Sequence, residues 1–188
     1  MPWITTIAPE DATGKLADAY AWQAQRLGRP TEFTQLGSLA PEIVHARLTL
    51  YRSTERLQSG LSSFQKVLLA YVTSSANETP HCVSQIRLKL VELGTSEDTI
   101  EALDSARFEG LDPADAALAG YARRLTRDPG SVSVADIDGL RAVGFDDLAI
   151  LDANNQVAHL NYVNRIANGL GLRHEVTADF EAFAAIPA

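Results

Sequence analysis

Thr79, Pro80, His81 and Cys82 fall together in the stretch SSANETPHCVSQIRLKLVEL, where the chain places a thiol and an imidazole side by side. A threonine followed by proline reads as the N-cap and first residue of a helix, which puts Cys82 at the third helical position. Unpaired amides and the positive end of the helix dipole favour an anion there, so the spacing predicts a stabilised thiolate. His81 is a neighbour in sequence but points about a third of a turn away, so adjacency does not imply a Cys–His hydrogen bond. The competing reading is a small core residue. Val83, Ile86, Leu90 and Leu93 form an apolar stripe beside Cys82, and free cysteines are among the most buried side chains. Cys82 is also the chain's sole cysteine, which excludes an intramolecular disulfide, a CxxC redox pair and a multi-cysteine zinc site.

A second polar group lies in DDLAILDANNQVAHLNYVNRIANGLGL. Asp152, Asn155, His159 and Tyr162 follow one another at helical spacing and are expected on one face over about three turns. Such a face is either solvated and hydrogen-bonded, or it relines a ligand pocket in which His159 acts as acid, base or donor near neutral pH. On the pocket reading His159 and His81 are the proton-transfer candidates. Cys82, Asn155, Tyr162 and Glu78 then orient the substrate or line the site. Asn161, Asn164 and Arg165 read as structural. His45, His81, His159 and His174 are far apart, with no HxH or HxxxH spacing, so no metal site is expected.

These residues need helices to position them, and the punctuation supplies helices. Pro41 opens a stretch with Ile43, Val44, Leu48 and Tyr51 at helical spacing. Ser62 with Gln65 is a capping box, Asp112, Pro113 and Asp115 open another helix, and Ser133 with Asp136 opens the next. Helices are predicted at roughly 14–27, 41–58, 63–77, 80–93, 97–107, 113–127, 134–143 and 147–169, with ends uncertain by about two to four residues. Few runs alternate apolar and polar over strand length, and no hairpin dipeptide sits between two strand-like runs, so the fold class is all-α. Residues 1–12 and 175–188 are expected to be extended or loosely docked ends. At 188 residues one domain, 1–188, is expected.

Sixteen Lys and Arg against 24 Asp and Glu leave a net charge of −8, which disfavours a nucleic-acid partner. The start, MPWITTIAPEDATG, has no basic head with an apolar stretch, and nowhere is there a run of about 18 apolar residues. A cytoplasmic protein without membrane partners is expected.

Several blocks in order, IAPEDATGKLADAY, SLAPEIVHARLTLYRS, the cysteine segment, YARRLTRDPGSVSVADIDGLRAVGFDD and HLNYVNRIANGLGL, resemble the alkylhydroperoxidase-D-like and carboxymuconolactone decarboxylase superfamily, in its peroxidase-related branch. The resemblance spans nearly the whole chain. It implies a small all-helical protein that assembles as a dimer, trimer, hexamer or related ring. It also implies an active segment with an Asn, two cysteines three positions apart, a His four positions later and a Glu one helix earlier. Aligned through Asn77, those positions hold Thr79, Cys82, Ile86 and Val67, so only one keeps its chemistry.

A dithiol peroxidase needs a resolving thiol to condense with the sulfenate, and threonine cannot serve. Without the Glu and His no relay remains to activate the thiol. The decarboxylase branch is similar in its reliance on an acid–base His and Glu, so the same two positions weaken that activity too. The sequence therefore suggests a divergent enzyme that has lost dithiol chemistry and acts on a small organic substrate by acid–base catalysis in a helical pocket, with no cofactor. The alternatives are a non-catalytic oligomeric binding or scaffold protein, and a residual single-cysteine peroxidase resolved by an external thiol.

Overall fold

The computed structural model describes residues 2–176, and among them every regular element is helical. In chain order the α-helices are α1 (Gly14–Leu27), α2 (Glu32–Leu36), α3 (Pro41–Arg56), α4 (Ser63–Ala76), α5 (Pro80–Glu92), α6 (Glu97–Asp104), α7 (Pro113–Arg127), α8 (Val134–Ala142) and α9 (Asp147–Gly169), with short 3-10 turns at Pro9–Asp11, inside the N-terminal segment expected to be extended, and at Pro129–Ser131. The predicted ends at 14, 27, 113, 127, 147 and 169 coincide with the observed ones. Residues 177–188, most of the expected loose C-terminal end, lie outside the described residues.

Local chemistry explains both the agreement and the differences. Ser62 and Gln65 form the reciprocal box: the Gln65 amide donates to Ser62 Oγ at 3.1 Å and the Ser62 amide to Gln65 Oε1 at 3.0 Å. The Ser133 amide donates to Asp136 Oδ2 at 2.8 Å in the same way. Helix α3 stops at Arg56 rather than 58. The Lys66 ammonium there donates to the carbonyls of Thr54, Glu55 and Leu57 at 3.1–3.4 Å, doing the work of further helical amides. Helix α6 ends at Asp104, before Ala106 turns left-handed at φ 52°. Helix α2 was not expected, because five residues show no periodicity; the Thr31 hydroxyl caps it by accepting from the Thr34 amide at 3.3 Å.

The core is built around α4. Leu68, Leu69, Tyr71 and Val72 are buried against Leu118, Ala119 and Ala122 of α7 and Ala153 and Val157 of α9. Burying large side chains of this kind contributes about 1.5–3 kcal/mol each, which makes α4 the element that holds α5, α7 and α9 in place. No helix among the described residues is long and apolar enough to cross a membrane.

Candidate functional site

A cavity of about 550 Å³ lies between α3, α4, α5 and α9. Cys82 and His81 of α5 line it from one side and His159 of α9 from the other, so three of the six expected site residues converge. Val67 and Ile86, the apolar occupants of the positions matched to the family's Glu and His, line it too. Further wall comes from α3, with Arg47 and Tyr51, from Leu27 of α1 and Phe33 of α2, and from polar residues such as Gln85 and Gln156.

The other three expected residues are not in its wall. Glu78 is exposed, sits at φ 52° and pairs with Arg127 at 3.2 Å. Asn155 and Tyr162 are exposed as well. Their departure follows from helical arithmetic: at about 100° per residue, Asn155 and Tyr162 sit about 60–80° round the helix from Asp152, whereas His159 sits within about 20° of it. The stripe therefore splits. Asp152 and His159 turn inward with Gln156, while Asn155 and Tyr162 face outward. The 3-4-3 spacing reads as one face only if the face is taken as wide as the spread of those angles.

Cys82 is 6% exposed, and burial pushes its thiol up to about 11, against a smaller opposing pull from a hydrogen bond with Asn164. This overturns the expected thiolate: desolvation outweighs the helix start. Thr79, the expected N-cap, makes no side-chain capping bond. Its buried hydroxyl instead accepts from Asn168 Nδ2 at 3.0 Å and lies 3.4 Å from the Asn77 carbonyl, joining the asparagine scaffold that ties α9 to the α4–α5 turn. In that scaffold Asn77 Nδ2 donates to Asn161 and Asn164 Oδ1 at 3.0 and 3.1 Å, and Asn164 Nδ2 donates to Ser74 Oγ at 3.2 Å. The structural reading of Asn161 and Asn164 agrees with these contacts.

A thiol near 11 has about a hundredfold less thiolate at neutral pH than one near 9, offset in part by the higher intrinsic nucleophilicity of the more basic sulfur. Iodoacetamide labelling of Cys82 at pH 7.5 is therefore expected to run at least about tenfold slower than for a free cysteine, and to accelerate up to about pH 11. Labelling as fast as free cysteine at pH 7.5 would contradict this picture.

His159 is 6% exposed, and burial, aided by the Arg47 charge, lowers its imidazole to about 4. It is neutral at pH 7. Its Nδ1 is buried without a hydrogen-bond partner, and the ring leans against Tyr51, centroids 5.7 Å apart. His81 is fully buried, and burial lowers its pKa as well. Both its ring nitrogens are engaged, Nδ1 at 3.1 Å from the His174 carbonyl and Nε2 at 3.1 Å from Gln85 Nε2.

Two cationic wall residues were not anticipated. Arg47 donates to Thr34 Oγ1 at 2.8 Å and lies over the Phe33 ring, its guanidinium 4.8 Å from the ring centroid; burial lowers it to about 10. Lys66 pairs with the fully buried Asp152 at 3.3 Å, and Asp152 also accepts from Ser59 Oγ and from Gln156 Nε2. A signal for Arg47 was present: Val44, Arg47, Leu48 and Tyr51 occupy i, i+3, i+4 and i+7, so a charge stands on the apolar stripe.

No family profile and no curated protein matches the chain. Solved structures do. An uncharacterized peroxidase-related protein from Ralstonia eutropha with an alkylhydroperoxidase core is 17% identical, with a TM-score of 0.83 over 96% of this chain and 94% of its own. A peroxidase-related protein from a Silicibacter species is 21% identical, with a TM-score of 0.82 over the same shares. A cysteine-to-alanine variant of the debrominase Bmp8, solved in complex with 2,3,4-tribromopyrrole, is 18% identical with a TM-score of 0.76, covering 95% of this chain and 94% of that one. The likeness extends over almost the full length of each partner and agrees with the blocks read from the sequence: this chain has the alkylhydroperoxidase-D-like fold.

Proposed function

We propose that the protein is an enzyme that binds a small organic molecule in the cavity between α3, α4, α5 and α9 and carries out proton transfer on it. The observation that carries this reading is the convergence of Cys82, His81 and a neutral, partly unpartnered His159 on one cavity of about 550 Å³. A cavity of that size suits a small ligand, with apolar walls for its body and a few polar groups to orient it. His159, neutral at pH 7, accepts a proton; Cys82, protonated there, donates a weak hydrogen bond from its thiol. His81, with both nitrogens engaged, orients the wall rather than carrying the proton. Glu78, Asn155 and Tyr162, expected as substrate-binding residues, act at most from outside the wall. The reading also draws support from a fold neighbour that holds 2,3,4-tribromopyrrole.

Ligand-observed NMR with 2,3,4-tribromopyrrole as probe tests the site. Binding is expected, and Leu160→Trp, which fills the cavity from α9, is expected to abolish it. A metabolite screen read by chromatography then identifies a substrate, whose turnover is expected to fall at least about tenfold in His159→Ala. Turnover unchanged in His159→Ala would overturn the assignment. Probe binding that persists in Leu160→Trp would place the ligand elsewhere.

A further inference from the structure

Outside the proposed proton-transfer pair, the fold gathers three metal-ligating groups from three separate elements. Glu32 is the first residue of α2, His81 the second of α5, and His174 lies in the segment that follows α9. Glu32 and His174 are 142 residues apart, yet His174 Nε2 is 2.6 Å from Glu32 Oε2. His81 Nδ1 is 4.0 Å from the same carboxylate oxygen, and one ligand atom from each residue falls within 4.8 Å of the other two. The two imidazole rings meet edge to face, centroids 5.0 Å apart.

The segment carrying His174 is held from both sides. Its turn passes through Gly171 at φ 80°, where any Cβ would collide with the Trp3 ring at 2.5 Å. Beyond His174, the Val176 amide donates to Ser84 Oγ at 2.8 Å, tying the segment to α5.

We propose that Glu32, His81 and His174 form a binding site for a divalent transition-metal ion of the zinc or cobalt type. Two imidazoles and one carboxylate are a borderline donor set, which favours such ions over Mg²⁺ or Ca²⁺, whose ligands are oxygen. Zinc–ligand bonds of about 2.0–2.2 Å put ligand atoms about 3.3 Å apart in a tetrahedron. The observed 2.6 and 4.0 Å lie on either side of that spacing, within reach of ring and carboxylate rotation. His81 brings an outer partner as well. Binding through Nδ1 requires His81 to give up its 3.1 Å hydrogen bond to the His174 carbonyl; with the Gln85 amide turned to present its oxygen, Nε2–H donates there and the Nδ1 lone pair is freed for the ion. Sequence spacing gave no hint of the site, because no two ligands share an element.

The test uses the full chain, treated with chelator and titrated with Co²⁺ while its visible d–d absorption is followed, then with Zn²⁺ in competition. One equivalent is expected to bind at micromolar concentration. Glu32→Gln and His174→Gln, both at half-exposed positions, are each expected to keep the native circular dichroism and weaken binding about tenfold or more. His45→Gln, at an exposed histidine outside the cluster, is expected to change nothing. No binding at micromolar metal, or binding indifferent to Glu32→Gln and His174→Gln, would overturn the proposal and leave the three residues as an ion pair with a buried neighbour. Either result is independent of whether 2,3,4-tribromopyrrole enters the cavity, so the two proposals fail separately.

Discussion

Asp152→Ala is expected to destabilise the protein by about 3 kcal/mol, the lower end of the range for breaking a buried ion pair by removing one partner. Asp152 has no solvent exposure, and its carboxylate lies 3.3 Å from the Lys66 ammonium, whose side chain is 15% exposed. Removing it takes the carboxylate away from an ammonium that keeps three carbonyl contacts at the end of α3, while Ser59 and Gln156 each lose an acceptor. The carbonyls solvate the ammonium in part, which places the effect at the lower end. Urea unfolding at pH 7 measures it. The paired change Lys66→Met with Asp152→Leu is expected to recover most of the loss, since two apolar side chains leave no stranded charge. A loss below about 1 kcal/mol in Asp152→Ala would show that the pair does not organise this part of the interior.

The second large effect is a dependence on acid. His159 has a folded pKa of about 4 against 6.5 for an unshifted histidine. Between those values the unfolded chain binds a proton that the folded chain refuses, so falling pH favours unfolding. The stability this histidine preserves is complete above about pH 6.5 and is lost progressively from there towards pH 4, amounting at pH 4.5 to about 2.5 kcal/mol. His81, whose pKa is also lowered by burial, acts in the same direction. Replacing His159 by phenylalanine removes the titrating group and retains the ring contact with Tyr51. The difference in unfolding free energy between pH 7.5 and pH 4.5 is expected to shrink by about 2.5 kcal/mol in His159→Phe. An unchanged difference would mean that His159 protonates as readily in the folded protein as in the unfolded chain.

The sequence made the helices legible because their signals are local. Ser62 with Gln65, Pro113 after Asp112, and the apolar spacing in α4 each act within a few residues, and the helices begin where those signals stand. Helix α2 escaped for the converse reason: five residues are too few to show a period.

The site was half legible. Cys82, His81 and His159 were identifiable by residue type and do share a cavity, but Asn155 and Tyr162 could be excluded only by knowing where the centre of the buried face of α9 lies. Lys66 with Asp152, and Glu32 with His174, are pairings across 86 and 142 residues. No local pattern encodes them. The state of the Cys82 thiol depends on the same long-range packing, since a helix start pulls its pKa down and burial pushes it up, and only the fold decides the balance.

Cys82, the one cysteine of the sequence, is a protonated thiol in the cavity wall, whereas a dithiol peroxide cycle needs a second thiol to resolve the sulfenate. Steady-state consumption of cumene hydroperoxide with an added dithiol reductant is the deciding assay. At most slow, stoichiometric oxidation of Cys82 is expected, with no sustained turnover above that of a Cys82→Ser control. Rapid multiple turnover that disappears in Cys82→Ser would contradict it.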